Sequence, residues 1–175
     1  MIRYYSVVIL SALVSMGCLA SEEPKDVITP SRGLAKIGLG DPAEKLFKVF
    51  GKPTDKLVMD PKDQDRFPGD YWITFGRSGV QALIEDEKIL SLFFHFKSKK
   101  DSAFDGVTDK GIGFSSSVRD VVSSYGNPDE TRKSIVSKFG EYPGAQEIRM
   151  NYNALGVSFL FLDGELFQII VTKKK

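Results

Sequence analysis

Residues 37–56 read IGLGDPAEKLFKVFGKPTDK, and residues 112–131 read IGFSSSVRDVVSSYGNPDET. The two stretches align without a gap at an offset of 75 positions. Ile37, Gly38, Gly51 and Pro53 recur as Ile112, Gly113, Gly126 and Pro128. Leu39, Ala43, Leu46, Phe47 and Phe50 stand against Phe114, Val118, Val121, Val122 and Tyr125, a spacing that marks one face of a helix. Asp41 is placed to cap such a helix, with Pro42 at its first position and Glu44 completing a capping box. Ser116 holds the Asp41 position in the second copy. Gly51 and Gly126 suit a left-handed helix end, and the prolines after them forbid continuation. Helices are therefore expected over Asp41–Phe50 and Ser116–Tyr125.

Working outward, GVQALIEDEKILSLFF at 79–94 faces GVSFLFLDGELFQIIV at 156–171, an offset of 77. Asp163-Gly164 is a strong two-residue hairpin turn, and Asp86-Glu87 is its weaker counterpart. The flanking runs are rich in Val, Ile, Leu and Phe, as paired strands are. The offset grows across one region only, 57–70 in the first copy and 134–144 in the second, which reads as a variable loop. Each copy is then a helix followed by four strands, near 54–59, 71–76, 79–85 and 88–97, and again near 130–137, 146–153, 156–162 and 165–173. A repeat of this length is a supersecondary unit that buries little alone. The expected class is α+β: two tandem helix-plus-four-stranded antiparallel meander units, with both helices on one face of the sheet. The expected organisation is a signal peptide at 1–17, a lipidated polar tether at 18–32, a first repeat at 33–100 and a second at 101–175.

In the last strand of each unit, Leu90, Leu92, Phe94 and Phe96, with Phe167, Ile169 and Val171, are read as the core face. Ile89, Ser91, Phe93 and His95, with Leu166, Gln168, Ile170 and Thr172, are read as the opposite face. That face is mixed rather than polar, so it is either a binding surface or the contact between two stacked sheets.

The N-terminus carries an export signal. Arg3 supplies a positive start, Val7–Leu13 is apolar apart from Ser11, and small residues lead into the polar run from Ser21. The apolar run is too short to span a bilayer. A buried N-terminal helix is the other reading, and the charge step and small-residue end fit a processing site better. The one cysteine, Cys18, follows Gly17 and resembles the acylated cysteine of a bacterial lipoprotein box, although Ser15 stands where an aliphatic residue is usual. Cleavage after Ala20 is the rival. With no second cysteine, no disulfide forms within the mature chain. A fatty-acylated Cys18, carrying palmitate or a similar chain, would anchor the protein to the membrane in the cell envelope, on the outer membrane or the periplasmic face. Without it the protein would be secreted.

The chain has 24 Lys and Arg against 23 Asp and Glu, and cleavage before Cys18 removes one base, leaving no net charge. No overall field draws nucleic acid, so nucleic acid is not expected as a partner. The clusters at Lys97, Lys99 and Lys100 and at 173–175 read as a solvated strand end and tail.

The pattern of Ile-Gly, capped helix, aromatic-Gly-x-Pro and strands bearing Tyr71-Trp72 resembles the SmpA/OmlA type of small outer-membrane lipoprotein. The tandem units of about 75 residues resemble β-lactamase inhibitory protein. The resemblance covers about 33–175, and it implies the helix-plus-meander fold and a binding task, with no contact motif to carry over.

Chemistry is sparse. His95 is the one histidine, in Phe93-Phe94-His95-Phe96, with no nucleophile elbow of the G-x-S-x-G kind to serve. One His and one Cys are too few for common zinc sites. Asp60, Asp63, Asp65 and Asp70 lack calcium-loop spacing and are interrupted by Lys62 and Arg66. Gly38-x-Gly40 lacks the Lys-Ser/Thr ending of a phosphate loop. No catalytic residue, metal or cofactor is expected. Trp72, Tyr71, Phe93, His95, Ile170 and Tyr142 are the expected protein contacts, with Phe139 a further aromatic of the same kind. The expected function is a non-catalytic envelope lipoprotein that binds another envelope protein, as an assembly factor or inhibitor-like module. A carboxylate-dependent hydrolase, using residues such as Asp63 and Asp65, and a carrier of a small apolar ligand are the alternatives.

Overall fold

The computed structural model describes residues 26–60, 69–138 and 140–174. The signal segment, Cys18, Asp63, Asp65 and Phe139 lie outside the described residues. In chain order the strands and helices are β1 (Asp26–Thr29), β2 (Gly33–Leu34), β3 (Ile37–Gly38), α1 (Glu44–Phe50), β4 (Asp55–Val58), β5 (Tyr71–Phe75), β6 (Val80–Glu85), β7 (Lys88–His95), β8 (Gly106–Thr108), α2 (Val118–Tyr125), β9 (Glu130–Ile135), β10 (Gln146–Tyr152), β11 (Val157–Leu162) and β12 (Glu165–Val171).

The expected α+β class gives way to a mostly β, sandwich-like fold. Its strands form an eight-stranded sheet, ordered β4-β5-β6-β7-β12-β11-β10-β9, and a four-stranded sheet, ordered β3-β2-β1-β8. The small sheet is why two separate helix-plus-meander units do not describe the molecule. Its β1 comes from the segment read as a tether, pairs antiparallel with β2, and pairs parallel with β8, which precedes the second helix. Ile28 on β1 is fully buried, so the polar run ends in a core strand at Asp26–Thr29.

The helices are also shorter than expected, seven and eight residues. Asp41 does not cap α1. Its carboxylate accepts from the Gly38 amide at 2.9 Å and from Lys45 at 2.8 Å. The lysine first, and then the amide, hold the acid below its ordinary value. Pro42 forms an isolated antiparallel bridge with Lys88 instead of opening a helical turn. In the second copy Ser116 likewise accepts from the Gly113 amide at 3.0 Å. Ser117 is the cap of α2, in a reciprocal box with Asp120. Both positions thus secure the turn before the helix.

Helices and small sheet lie on one face of the large sheet. Leu46 of α1 and Val121 of α2 join Ile28, Leu34 and Ile37 of the small sheet. They pack against Phe75, Leu92, Phe94, Phe159 and Ile169 of the large one. Each such side chain contributes about 1.5–3 kcal/mol when fully removed from water.

The face assignment fails at two symmetric places. Pairing shifts register between Leu83 and Ile84 in β6–β7, and between Leu160 and Phe161 in β11–β12. A bulge reverses which side chains point inward beyond it. Ile89 and Leu166, read as outward, are therefore core residues at 1% and 0% exposure. Leu90 and Phe167, read as inward, are only half-buried.

Candidate functional site

None of the described helices or small-sheet strands covers the other face of the large sheet, opposite the core. One rung of side chains crosses all eight strands there: Asp55, Thr74, Gln81, Phe93, Ile170, Ser158, Asn151 and Glu130 are successive cross-strand partners. A second rung runs from His95 through Gln168, Leu160 and Arg149 to Arg132. The face changes character along these rungs. Along the first rung it is polar over β4, β5 and β6, aromatic at β7, apolar at β12 and polar beyond.

The aromatic part begins with Trp72, whose ring centroid is 4.7 Å from that of Phe93. Further along β7, His95 meets Phe167 edge-on at 6.0 Å, and Phe167 meets Tyr142 at 5.6 Å. Lys99 sits over the Tyr142 ring at 4.6 Å. The structure thus gathers Trp72, Phe93, His95, Ile170 and Tyr142 on one surface. Ile170 forms its floor, at 7% exposure. Tyr71 does not belong to it. Strand alternation turns its ring inward to 7% exposure, and its hydroxyl donates to Glu87 at 2.8 Å. Burial first, and then Glu87, push that phenol up to about 12.

His95 lines a cavity of about 300 Å³ with Thr74, Gln81, Ser98, Asp101 and Glu141. The Gln168 amide nitrogen is 3.1 and 3.4 Å from its two ring nitrogens. Burial lowers the imidazole's affinity for a proton, while Asp101 and Glu141 pull it back up. Among the described residues, no group of three or more His, Cys, Asp and Glu side chains is arranged to hold a metal ion. No helix among them is long and apolar enough to cross a membrane.

The chain matches no protein-family model, no curated protein and no solved structure.

Sequence reasoning missed the polar end of the face. A trough of about 670 Å³ opens there, bounded by Arg132, Arg149, Lys173 and Lys174 with Glu85 and Glu130, over a floor that includes Ser91, Ser158 and Asn151. The two lysines had read as part of a solvated tail. The arginines lie on separate strands, and only the pairing of β9 with β10 brings them together. Phe167 was missed for a different reason, since alternation without the bulge sends it inward.

Proposed function

We propose that this protein is a non-catalytic, lipid-anchored module of the cell envelope that binds another envelope protein through the outer face of its eight-stranded sheet. The observation that carries this reading is the Trp72–Phe93 pair, half-buried on a face that no described element covers. Aromatic side chains of this kind, set on an apolar floor such as Ile170 and bordered by polar groups, are what protein interfaces use as anchors. Acylation of Cys18 supplies the attachment to the membrane, and several chains on one cysteine hold far better than one. His95 serves the face as a packed, neutral ring rather than as a proton carrier.

A photoreactive amino acid placed at position 93 tests the docking face directly. In intact cells it should give a discrete adduct with one envelope protein, and the same probe at Lys45, on α1, should give none. Equal adduct formation at both positions, or none at position 93, overturns the proposal.

A further inference from the structure

At the polar end of the outer face, charge is arranged against the interest of the sheet. Arg149 and Arg132 are direct cross-strand partners. Like charges in that position destabilise a strand pair. Relief is partial. Glu130 accepts from Arg132 at 2.7 Å and from Asn151 at 3.0 Å, whereas Arg149 Nε stands 4.0 Å from Glu147, outside hydrogen-bond range. Lys173 and Lys174 border the same trough, exposed, and form no ion pair among the described residues. The rim therefore carries four cations against two carboxylates, on a chain whose total charge is nearly balanced.

We infer, on the premise that this face docks a protein, that the trough receives an extended acidic segment of that partner. Shape favours a chain over a compact anion. From Ser91 on β7 to Arg132 on β9 the floor crosses β12, β11 and β10, four inter-strand steps. At about 4.8 Å per step that is about 19 Å, the length of about six extended residues. The floor supplies hydroxyl and amide groups from Ser91, Ser158 and Asn151 to meet the segment's backbone. Carboxylates on the segment would find the guanidinium fork of Arg149, held only loosely by Glu147 at 4.0 Å, and the two lysines, charge-assisted contacts that a neutral segment forgoes. The arginine pair, a liability in the isolated sheet, becomes complementary once the segment is seated.

The test uses the full chain in a non-ionic detergent, with fluorescein-labelled octaglutamate as probe, read by anisotropy. Octaglutamate should bind, and binding should weaken steeply with added salt. The double variant Arg132→Gln/Arg149→Gln and the double variant Lys173→Gln/Lys174→Gln should each weaken it about tenfold, the scale on which truncated charged contacts act. The lysine pair is exposed, so that variant keeps the test open if the arginine variant misfolds. Lys48→Gln, an exposed change on α1, should leave octaglutamate affinity within about twofold, because the helix lies on the opposite face of the sheet. Octaglutamine binding as tightly, or full affinity in both double variants, overturns the assignment. Displacement of octaglutamate by tripolyphosphate at a lower concentration than by unlabelled octaglutamate also overturns it, in favour of a phosphate-type anion. If octaglutamate fails to bind while the cross-link at position 93 forms, the trough assignment falls and the docking face stands. If the cross-link fails while octaglutamate binds through the arginines, the docking face falls, and the assignment of the trough to a docked partner falls with it.

Discussion

Trp72 and Phe93 meet at a tilt of 49° with ring centroids 4.7 Å apart, although β6 runs between their strands. Their direct partners on β6 are Leu83 and Gln81, so the rings meet diagonally above that strand. Such a pair adds about 0.5–1.5 kcal/mol beyond the area it buries. A double-mutant cycle of Trp72→Ala and Phe93→Ala, followed by urea unfolding, should return a coupling of that size. Trp72 is the one tryptophan, so Phe93→Ala should also move its emission to the red as water reaches the ring. Either truncation should weaken partner binding by about 2 kcal/mol. An unchanged emission maximum would show that the rings do not shield one another.

Folding stability should respond to His95 below neutral pH. Burial lowers the folded imidazole below the 6.5 of a free histidine. As pH falls through that value, the unfolded chain takes up a proton before the folded one, so stability falls with pH until the folded ring also titrates. His95→Gln should flatten the slope between pH 7 and pH 5 in urea midpoints, with little change at pH 8. Identical slopes in the two proteins would refute it.

Gly79 and Gly156 occupy equivalent places and share a constraint. Their φ angles are +63° and +68°. A β-carbon at Gly79 would sit 2.4 Å from the Phe104 amide nitrogen, and one at Gly156 would sit 2.4 Å from the Thr172 carbonyl. Both obstacles are backbone. Substitution by alanine should therefore destabilise by at least about 1–3 kcal/mol at each position, from strain and displacement together. Gly164→Ala, in the Asp163-Gly164 hairpin turn, has a positive φ of 84° but open space around it, so it should cost less in the same thermal-melt series.

The strands of the large sheet were legible because alternating apolar residues and tight turns are local signals. Asp163 and Gly164 both take positive φ, as the hairpin reading of that dipeptide requires. The fold class was not legible, since it depends on β1, β2, β3 and β8. These have two to four residues each, too few for periodicity, and lie among prolines and glycines. Their pairing is non-local, with Ile28 matched to Thr108 in parallel. Most of the aromatic surface could be read from Trp72, Phe93 and Ile170, but Tyr71 was misplaced by one step of alternation. The trough could not be read at all, because the register of β9 against β10 creates it.

The anchoring proposal predicts that Cys18 carries lipid. Cells fed a radiolabelled or clickable palmitate should label the protein, and the protein should partition into the detergent phase. Cys18→Ser should abolish both. Labelling that survives the substitution refutes acylation at this residue.

The place of β12 has a consequence for assembly. It is synthesised after every other described strand, yet it lies in the middle of the large sheet, between β7 and β11. Until residues 165–171 are free, the strands β4–β7 and β9–β11 have no ladder joining them, and β7 and β11 each present an open edge. Closing that seam matches Gln168 to His95 and Val171 to Leu92 across more than seventy residues of chain, the kind of distant contact that slows folding. The growing chain therefore passes through a long interval in which β7 keeps one open edge, joined briefly at its end by the open edge of β11. During that interval, a chaperone or an export channel that holds the chain extended would protect it from pairing with its neighbours.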